Sequence, residues 1–218
     1  MVSNVIGFIG IDNYDIILYL SRILNTIGKK VLIIDYSYTD ALTTCIPVPE
    51  GLNVYDDIID YRDVDYTKKC FEEDYLNEYD DILINFGFHY IEHVAAVCNY
   101  IIYSTDLQKH NIDSLRSIPF IRDGKKQLII RDMVDSKINP TYIIDLLQME
   151  FLKDDVYGFE LDALDMKYKI LIQYDTIFEF KRITKYLKSY LTDTLKKLYP
   201  NIAHKELREA LKKAERGN

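Results

Sequence analysis

The chain has 218 residues, 48% of them hydrophobic and 28% charged, and a formal net charge of −8. This length suits one large α/β domain or two small ones, and the apolar share argues against a disordered chain. The three cysteines show no CxxC spacing, and no apolar run reaches the roughly 18 residues of a membrane helix, so we expect a cytoplasmic protein with reduced thiols.

Continuous apolar runs alternate with helical patterns along the chain, which is typical of βαβ units and a parallel sheet. The runs predict strands over residues 2–9, 30–35, 81–86, 96–103, 126–131 and 157–161. Because these runs are apolar throughout rather than alternating with polar residues, we expect helices on both faces of the sheet.

The segments between the strands predict helices over residues 14–27, 53–61, 66–78, 89–94, 106–118 and 139–152. Residues 166–173 have two interpretations, a short strand or an extended connection. Apolar side chains at three- and four-residue steps then predict a long amphipathic helix over 177–198 and a weaker helix over 204–216. We therefore expect an α/β domain over residues 1–200 and a C-terminal helical tail over 201–218.

The loop after the first predicted strand carries two carboxylates, in the sequence Gly10-Ile-Asp-Asn-Tyr-Asp15. A phosphate-binding loop works because glycines let backbone N–H groups point at the phosphate, while a lysine balances its charge. Asp12 and Asp15 place negative charge there instead. Two unit charges about 4 Å apart interact by about 4 kcal/mol at an effective dielectric constant of about 20, so these carboxylates would oppose a triphosphate.

The order of elements resembles that of the MinD/ParA ATPases with a deviant Walker A motif. The resemblance is carried by the strand Gly28-Lys-Lys-Val-Leu-Ile-Ile-Asp35 and by the Walker B-like run Tyr79-Asp-Asp-Ile-Leu-Ile-Asn85. It implies a three-layer, doubly wound α/β fold with a mostly parallel sheet. It also implies that a loop of the form KGGVGKTT should join the first strand to the first helix.

Aligned on this family, the loop has lost the residues that hold a nucleotide. Gly10 falls within the glycine pair and Asp12 replaces the third glycine. The remaining replacements are Asn13 for the phosphate-contacting lysine, Tyr14 for the magnesium-binding hydroxyl residue and Asp15 for the following threonine. The resemblance therefore implies a degenerate nucleotide loop, no catalytic residue and no cofactor.

Two later positions, Asp35 and Asn85, are candidates for a residual site. The resemblance matches Asp35 to an acidic residue that helps to position water and metal at the end of the second strand. A strand-end residue that caps a nearby turn is the competing interpretation. Asn85 stands at the Walker B aspartate and lacks the charge to hold a hydrated Mg²⁺.

These losses imply a pseudo-ATPase that works through protein partners. The run Ile172-Gln-Tyr174, followed by Phe178, is similar to the TadZ/CpaE branch of the family. That branch implies a localisation, scaffold or regulatory component of a pilus, secretion or conjugation-type assembly. Family members dimerise across the nucleotide face, and we expect Ile9, Ile11 and Tyr14 to support a homodimer without nucleotide.

Two alternatives stay open. One is a divergent but active ATPase of the same family, which would bind ATP and Mg²⁺ with a lysine from elsewhere, such as Lys29 or a partner chain. The other is a metal site at His89, Glu92 and His93, which match the HxxEH pattern of some metallopeptidases. The alternative to a metal site is that the pattern occurs by chance on a polar helix face.

Charge is unevenly distributed along the chain. Residues 176–218 carry 11 Lys/Arg and 5 Asp/Glu, a net charge of +6, which leaves −14 for the rest. The basic tail is either a solvated helix face or a contact for an anionic surface or an acidic partner. Because the main body is acidic, we expect no specific nucleic-acid binding, and the terminal helix has too few apolar residues to favour membrane contact.

Overall fold

A computed structural model of the protein describes residues 3–121, 124–175 and 180–216. Its strands are β1 (Asn4–Gly10), β2 (Val31–Asp35), β3 (Ile59–Asp60), β4 (Asp65–Thr67), β5 (Asp81–Gly87), β6 (Tyr100–Thr105), β7 (Lys125–Met133) and β8 (Val156–Glu160). Within the described residues they form one eight-stranded sheet in the order β3-β4-β2-β5-β1-β6-β7-β8. Every pairing is parallel except that of β3 with β4.

The α-helices cover both faces of this sheet. They are α1 (Tyr14–Thr26), α2 (Tyr75–Glu78), α3 (Glu92–Ala95), α4 (Lys109–Arg116), α5 (Pro140–Leu147), α6 (Ala163–Asp175), α7 (Lys185–Leu198) and α8 (His204–Arg216). Successive residues of β1 supply two separate cores, since Ile6 and Phe8 lie in one buried cluster and Val5 and Ile9 in the other. The predicted three-layer, doubly wound α/β fold is confirmed.

The helix α8 packs against the rest of the fold through small and apolar side chains. Leu207, Ala210 and Ala214 are buried in the cluster that also contains the inner face of α1. Lys188 of α7 forms a salt bridge with Glu215 at 2.6 Å. None of the helices in the described part of the chain has the length and apolar character needed to traverse a lipid bilayer.

Two of the predicted helices are wrong. Residues 53–61 form turns that lead into β3, and residues 66–78 contain the end of β4 and a single helical turn, α2. Local side-chain hydrogen bonds explain the first case: Tyr55 N–H donates to the Asn53 side chain at 3.0 Å, and Asn53 N–H donates to Asp57 at 2.8 Å. Such bonds offer the backbone an alternative to the helix.

Further boundaries also differ from the prediction. Residues 166–173 lie inside α6 and form neither a strand nor an extended connection. The sequence does not predict this helix, because the run Ile170-Leu-Ile172 is too short for periodicity to distinguish a helix from a strand. The helix predicted from residue 177 begins at Lys185, where Thr184 accepts a capping hydrogen bond from Leu187 N–H at 3.2 Å. Residues 177 and 178, like residue 2 of the first predicted strand, lie outside the described residues. Residues 96–99 precede β6 instead of forming its start.

Candidate functional site

The candidate site is a cleft at the carboxyl ends of the parallel strands. β1 lies between β5 and β6, and the sheet is wound outward from it in both directions. Ligands of open α/β sheets bind outside the carboxyl ends of the strands at such a switch point. A cleft of about 400 Å³ opens there, lined by the ends of β1, β5 and β7, by residues that follow β1, β2, β5 and β6, and by α4 and α6.

The loop after β1 is bound to the neighbouring strand β6. Gly10 has a φ of +121°, and a Cβ at this position would overlap the Ser104 carbonyl oxygen. That carbonyl accepts a hydrogen bond from Ile11 N–H at 3.2 Å, and Ser104 Oγ donates to the Ile11 carbonyl at 3.0 Å. The Ile11 N–H group is therefore committed to the protein itself rather than presented to a phosphate.

Asp15 and Arg131 form a buried ion pair under the loop. Arg131 Nη1 and Nη2 donate to the two carboxylate oxygens of Asp15 at 2.7 and 2.8 Å, and the two residues are 6% and 1% exposed. Burial alone would raise the pKa of the Asp15 carboxyl, but the charge and hydrogen bonds of Arg131, together with the Lys169 charge, hold that pKa below its usual value. A bidentate pair of this kind leaves neither charge available to a ligand.

Contacts within the loop, with α6 and with the loop after β2 occupy the other loop positions. The Asn13 amide donates to the Ile11 carbonyl at 3.0 Å, and Tyr14 Oη donates to the Lys169 carbonyl at 3.0 Å. Lys169 Nζ donates to the Asp12 carbonyl at 3.3 Å, and Thr39 Oγ1 donates to Asp12 Oδ1 at 2.8 Å.

Burial affects both charged groups of this contact. It raises the pKa of the Asp12 carboxyl, against the opposing effect of the Thr39 hydrogen bond. It also lowers the pKa of the Lys169 ammonium, and the nearby Arg131 charge acts in the same direction. The positions predicted as the degenerate loop thus lie together beside the cleft and are held by internal partners.

Asp35 and Asn85 lie side by side at the ends of β2 and β5. Asn85 Nδ2 donates to Asp35 Oδ1 at 2.9 Å, and the same oxygen accepts hydrogen bonds from Ser37 N–H at 3.0 Å and Ser37 Oγ at 2.7 Å. Thr43 Oγ1 donates to Asp35 Oδ2 at 3.0 Å. Because these donors all come from the chain and Asp35 is fully buried, the geometry favours the turn-capping interpretation.

Lys29, the lysine suggested for the active-ATPase alternative, lies at the edge of the sheet opposite the cleft. Lys29 precedes β2, at the amino ends of the strands, where its Nζ is 3.8 Å from Asp80 Oδ1 and 5.0 Å from the centre of the Tyr199 ring. The cleft lies at the opposite ends of the same strands, so Lys29 does not replace the missing lysine of the loop.

The residues of the HxxEH pattern do not share a helix. α3 begins at Glu92, so His89 lies in the preceding loop. His89 Nδ1 is 3.0 Å from the Tyr36 carbonyl oxygen, and its ring stacks on Tyr38 with the ring centres 4.3 Å apart. Across residues 3–121, 124–175 and 180–216, no group of three His, Cys, Asp or Glu side chains is arranged to hold a metal ion.

The apolar residues expected to form a dimer contact are largely unavailable. Ile9 is fully buried and Tyr14 is 5% exposed, while Ile11 is half-buried. Ile9 belongs to a buried strand, and Tyr14 packs under Lys169, so neither offers a surface to a second chain.

Two residues that shape the site, Arg131 and Lys169, are not predicted from the sequence. Arg131 ends the predicted strand 126–131, and its place at the carboxyl edge of a strand is a signal that could have brought it into the site. Lys169 has no such signal, because residues 166–173 are not predicted as a helix.

The fold is similar to several solved structures. One is a chain of the MinC:MinD cell division protein complex of Aquifex aeolicus, with 12% identity, a TM-score of 0.65 and coverage of 92% of this chain and 98% of that one. pNOB8 ParA bound to nonspecific DNA has 15% identity, a TM-score of 0.58 and coverage of 92% and 100%. A ParA family ATPase from Chlorobium tepidum TLS has 11% identity, a TM-score of 0.52 and 96% coverage of both chains.

The chain has the MinD/ParA fold. Identities of 11–15% show the fold alone. No family model matches the sequence, and a search of curated proteins finds no match. Because one MinD/ParA neighbour is bound to nonspecific DNA, the comparison does not support the expectation that this chain avoids nucleic acid, which stays a prediction.

Proposed function

We propose that this protein is a pseudo-ATPase with the MinD/ParA fold, which acts by contact with other proteins and not by nucleotide turnover. The observation that carries the proposal is the buried Asp15–Arg131 pair, because its two charges bind each other beneath the strand–helix junction where a phosphate loop would bind its ligand. Removing Arg131 from that pair to bind a phosphate would leave Asp15 as an uncompensated buried charge.

The charge of the cleft also supports the proposal. Among the described residues, its lining contains the carboxylates of Asp12, Asp106 and Asp132 and one cationic side chain, Lys169. The Lys169 ammonium already donates to the Asp12 carbonyl. A triphosphate with its Mg²⁺ needs the reverse arrangement, with several donors and a cation facing the phosphates and a carboxylate reserved for the metal. The residues present therefore do not fit ATP and Mg²⁺.

The partner assembly follows from resemblance. We propose a localisation, scaffold or regulatory role in a pilus, secretion or conjugation-type machine, as the similarity of residues 172–178 to the TadZ/CpaE branch implies. The MinD/ParA neighbours include a protein complex, MinC:MinD, which makes a protein partner consistent with this fold.

Thermal denaturation with Mg-ATP tests the proposal. A ligand present at 100 times its dissociation constant stabilises a native protein by about 2.7 kcal/mol, which for a domain of this size raises Tm by about 5–11 °C. We expect no change in Tm with millimolar Mg-ATP or Mg-ADP, while a MinD/ParA ATPase with an intact loop shows the shift. A saturable rise in Tm of this chain, lost in the Asp35→Ala variant, would overturn the proposal.

A further inference from the structure

The helix α6 has an apolar face that no other part of the described chain covers. Its inner side is buried through Tyr168 and Ile172. On its outer side, Ile170 and Tyr174, one helical turn apart, are 46% and 81% exposed, and Leu164, closer to the inner side, is 42% exposed. Exposed apolar side chains that lie together on one side of a helix are typical of binding surfaces, and Ile170 and Tyr174 are such a pair.

Neighbouring loops extend the apolar face along the same edge of the sheet. Leu161 lies just before α6, beside β7, because its N–H donates to the Met133 carbonyl at 2.9 Å. Leu161 and the adjacent Val134 are both 53% exposed. The exposed rings of Tyr38 and Phe88 also form part of the lining of the cleft. The acidic cleft is therefore bordered by exposed apolar side chains.

The described lining of the cleft is acidic, because it contains three carboxylates and only one cationic side chain, Lys169. Among the described residues, Asp12, Asp106 and Asp132 form no salt bridge. Asp12 is hydrogen-bonded to Thr39, and Asp106 Oδ1 accepts from Gln108 N–H at 2.8 Å. These are neutral donors, and one ammonium group, that of Lys169, cannot balance three carboxylates, so negative charge stays in excess in the described lining.

We propose that the outer face of α6 and the acidic cleft beside it form one docking surface for a basic, amphipathic segment of a partner protein. Apolar side chains of the segment pack on Ile170 and Tyr174, and its lysines or arginines reach Asp12 and Asp132. Charge complementarity favours this occupant, because carboxylates outnumber the one ammonium group in the described lining. A second copy that docked through the same surface would bring an equally acidic cleft to it. The inference rests on the proposed function, since a nucleotide would compete for the cleft.

Fluorescence anisotropy with a labelled helical peptide of leucine and lysine at amphipathic spacing tests the proposal. We expect saturable binding to the full chain, weakened about tenfold or more by Ile170→Ser and by Asp132→Asn, since each removes a contact worth at least about 1.4 kcal/mol. Asn tolerates the positive φ of residue 132. Tyr142→Ser on α5 is the matched control, because Tyr142 is 45% exposed and lies outside the proposed surface. It should leave binding unchanged.

Three outcomes would overturn this docking surface. They are no binding of the basic peptide, equal binding of a peptide with glutamate in place of lysine, and equal affinity of the Ile170→Ser variant with unchanged thermal stability. If sedimentation shows a dimer of the chain and Ile170→Ser dissociates it, the occupant of the surface is a second copy of the chain and not a partner protein. Failure of the proposed function gives a different result. The peptide would bind in the absence of nucleotide, and Mg-ATP would both stabilise the chain and displace the bound peptide.

Discussion

Asp15→Asn removes one charge from the buried pair and leaves its shape. Loss of one partner of a buried ion pair lowers stability by about 3–5 kcal/mol, because the other charge stays buried without compensation. Both side chains are almost inaccessible, and the carboxylate accepts two hydrogen bonds from Arg131 at 2.7 and 2.8 Å. Asn keeps one acceptor, so we expect a loss at the lower end of this range. The unfolding free energy from urea titrations should fall by about 3 kcal/mol, and Tm should fall by about 6–12 °C.

The pH dependence of this difference has a defined sign. The folded-state pKa of Asp15 is held below its ordinary value, so the pair contributes its full stability above that ordinary value, near pH 4. The contribution is lost as the pH falls through the folded-state pKa and Asp15 becomes protonated. We therefore expect the stability gap between wild type and Asp15→Asn to be constant from pH 7 to about pH 5 and to narrow at lower pH.

Two further variants control this experiment. Asp193→Asn breaks an exposed pair with Lys196 at 3.9 Å and should change stability by less than about 1 kcal/mol. Replacing both buried partners, Asp15→Leu with Arg131→Met, should recover most of the loss, because no charge is left buried. An Asp15→Asn protein as stable as the wild type, or a gap that persists unchanged far below pH 4, would refute the reasoning.

The remaining predictions concern packing and are measured by urea titration. Gly10→Ala should lower the unfolding free energy by about 4 kcal/mol or more, because its Cβ would overlap the Ser104 carbonyl, whereas Gly51→Ala, also at positive φ but in open space, should lose about 1 kcal/mol. Asp35→Ala should lose about 3 kcal/mol by orphaning buried donors, and an unchanged midpoint would argue against the capping role. Leu207→Ala, 1% exposed on α8, should lose about 2–3 kcal/mol; a smaller loss would mean that α8 is loosely packed.

The fold could be predicted where periodicity and strand length agree. β1, α1 and β2 follow from an apolar run, a helical period and the glycine at position 28, which has a φ of +81°. Residues 53–61 could not be predicted, because hydrogen bonds between side chains and nearby backbone compete with the helix there. The helix α6 could not be predicted, because its short apolar run fits a strand as well as a helix.

Part of the candidate site could likewise be predicted from the sequence, and part could not. The replacements at Asp12, Asn13 and Asp15 can be located from the sequence, because a strand–helix junction places them at the edge of the sheet. The pairing of Asp15 with Arg131 cannot, since the two residues are 116 positions apart. Their meeting depends on β6 and β7 following β1 in the sheet and on which face each side chain occupies.

The most direct measurement of the central claim is the calorimetric titration of the purified chain with ATP in the presence of Mg²⁺. The claim is that the loop over residues 10–15 no longer binds nucleotide because its groups are bound to the protein itself. We predict no saturable heat of binding at millimolar ATP. A one-to-one isotherm with a micromolar dissociation constant, competed by ADP, would contradict the claim.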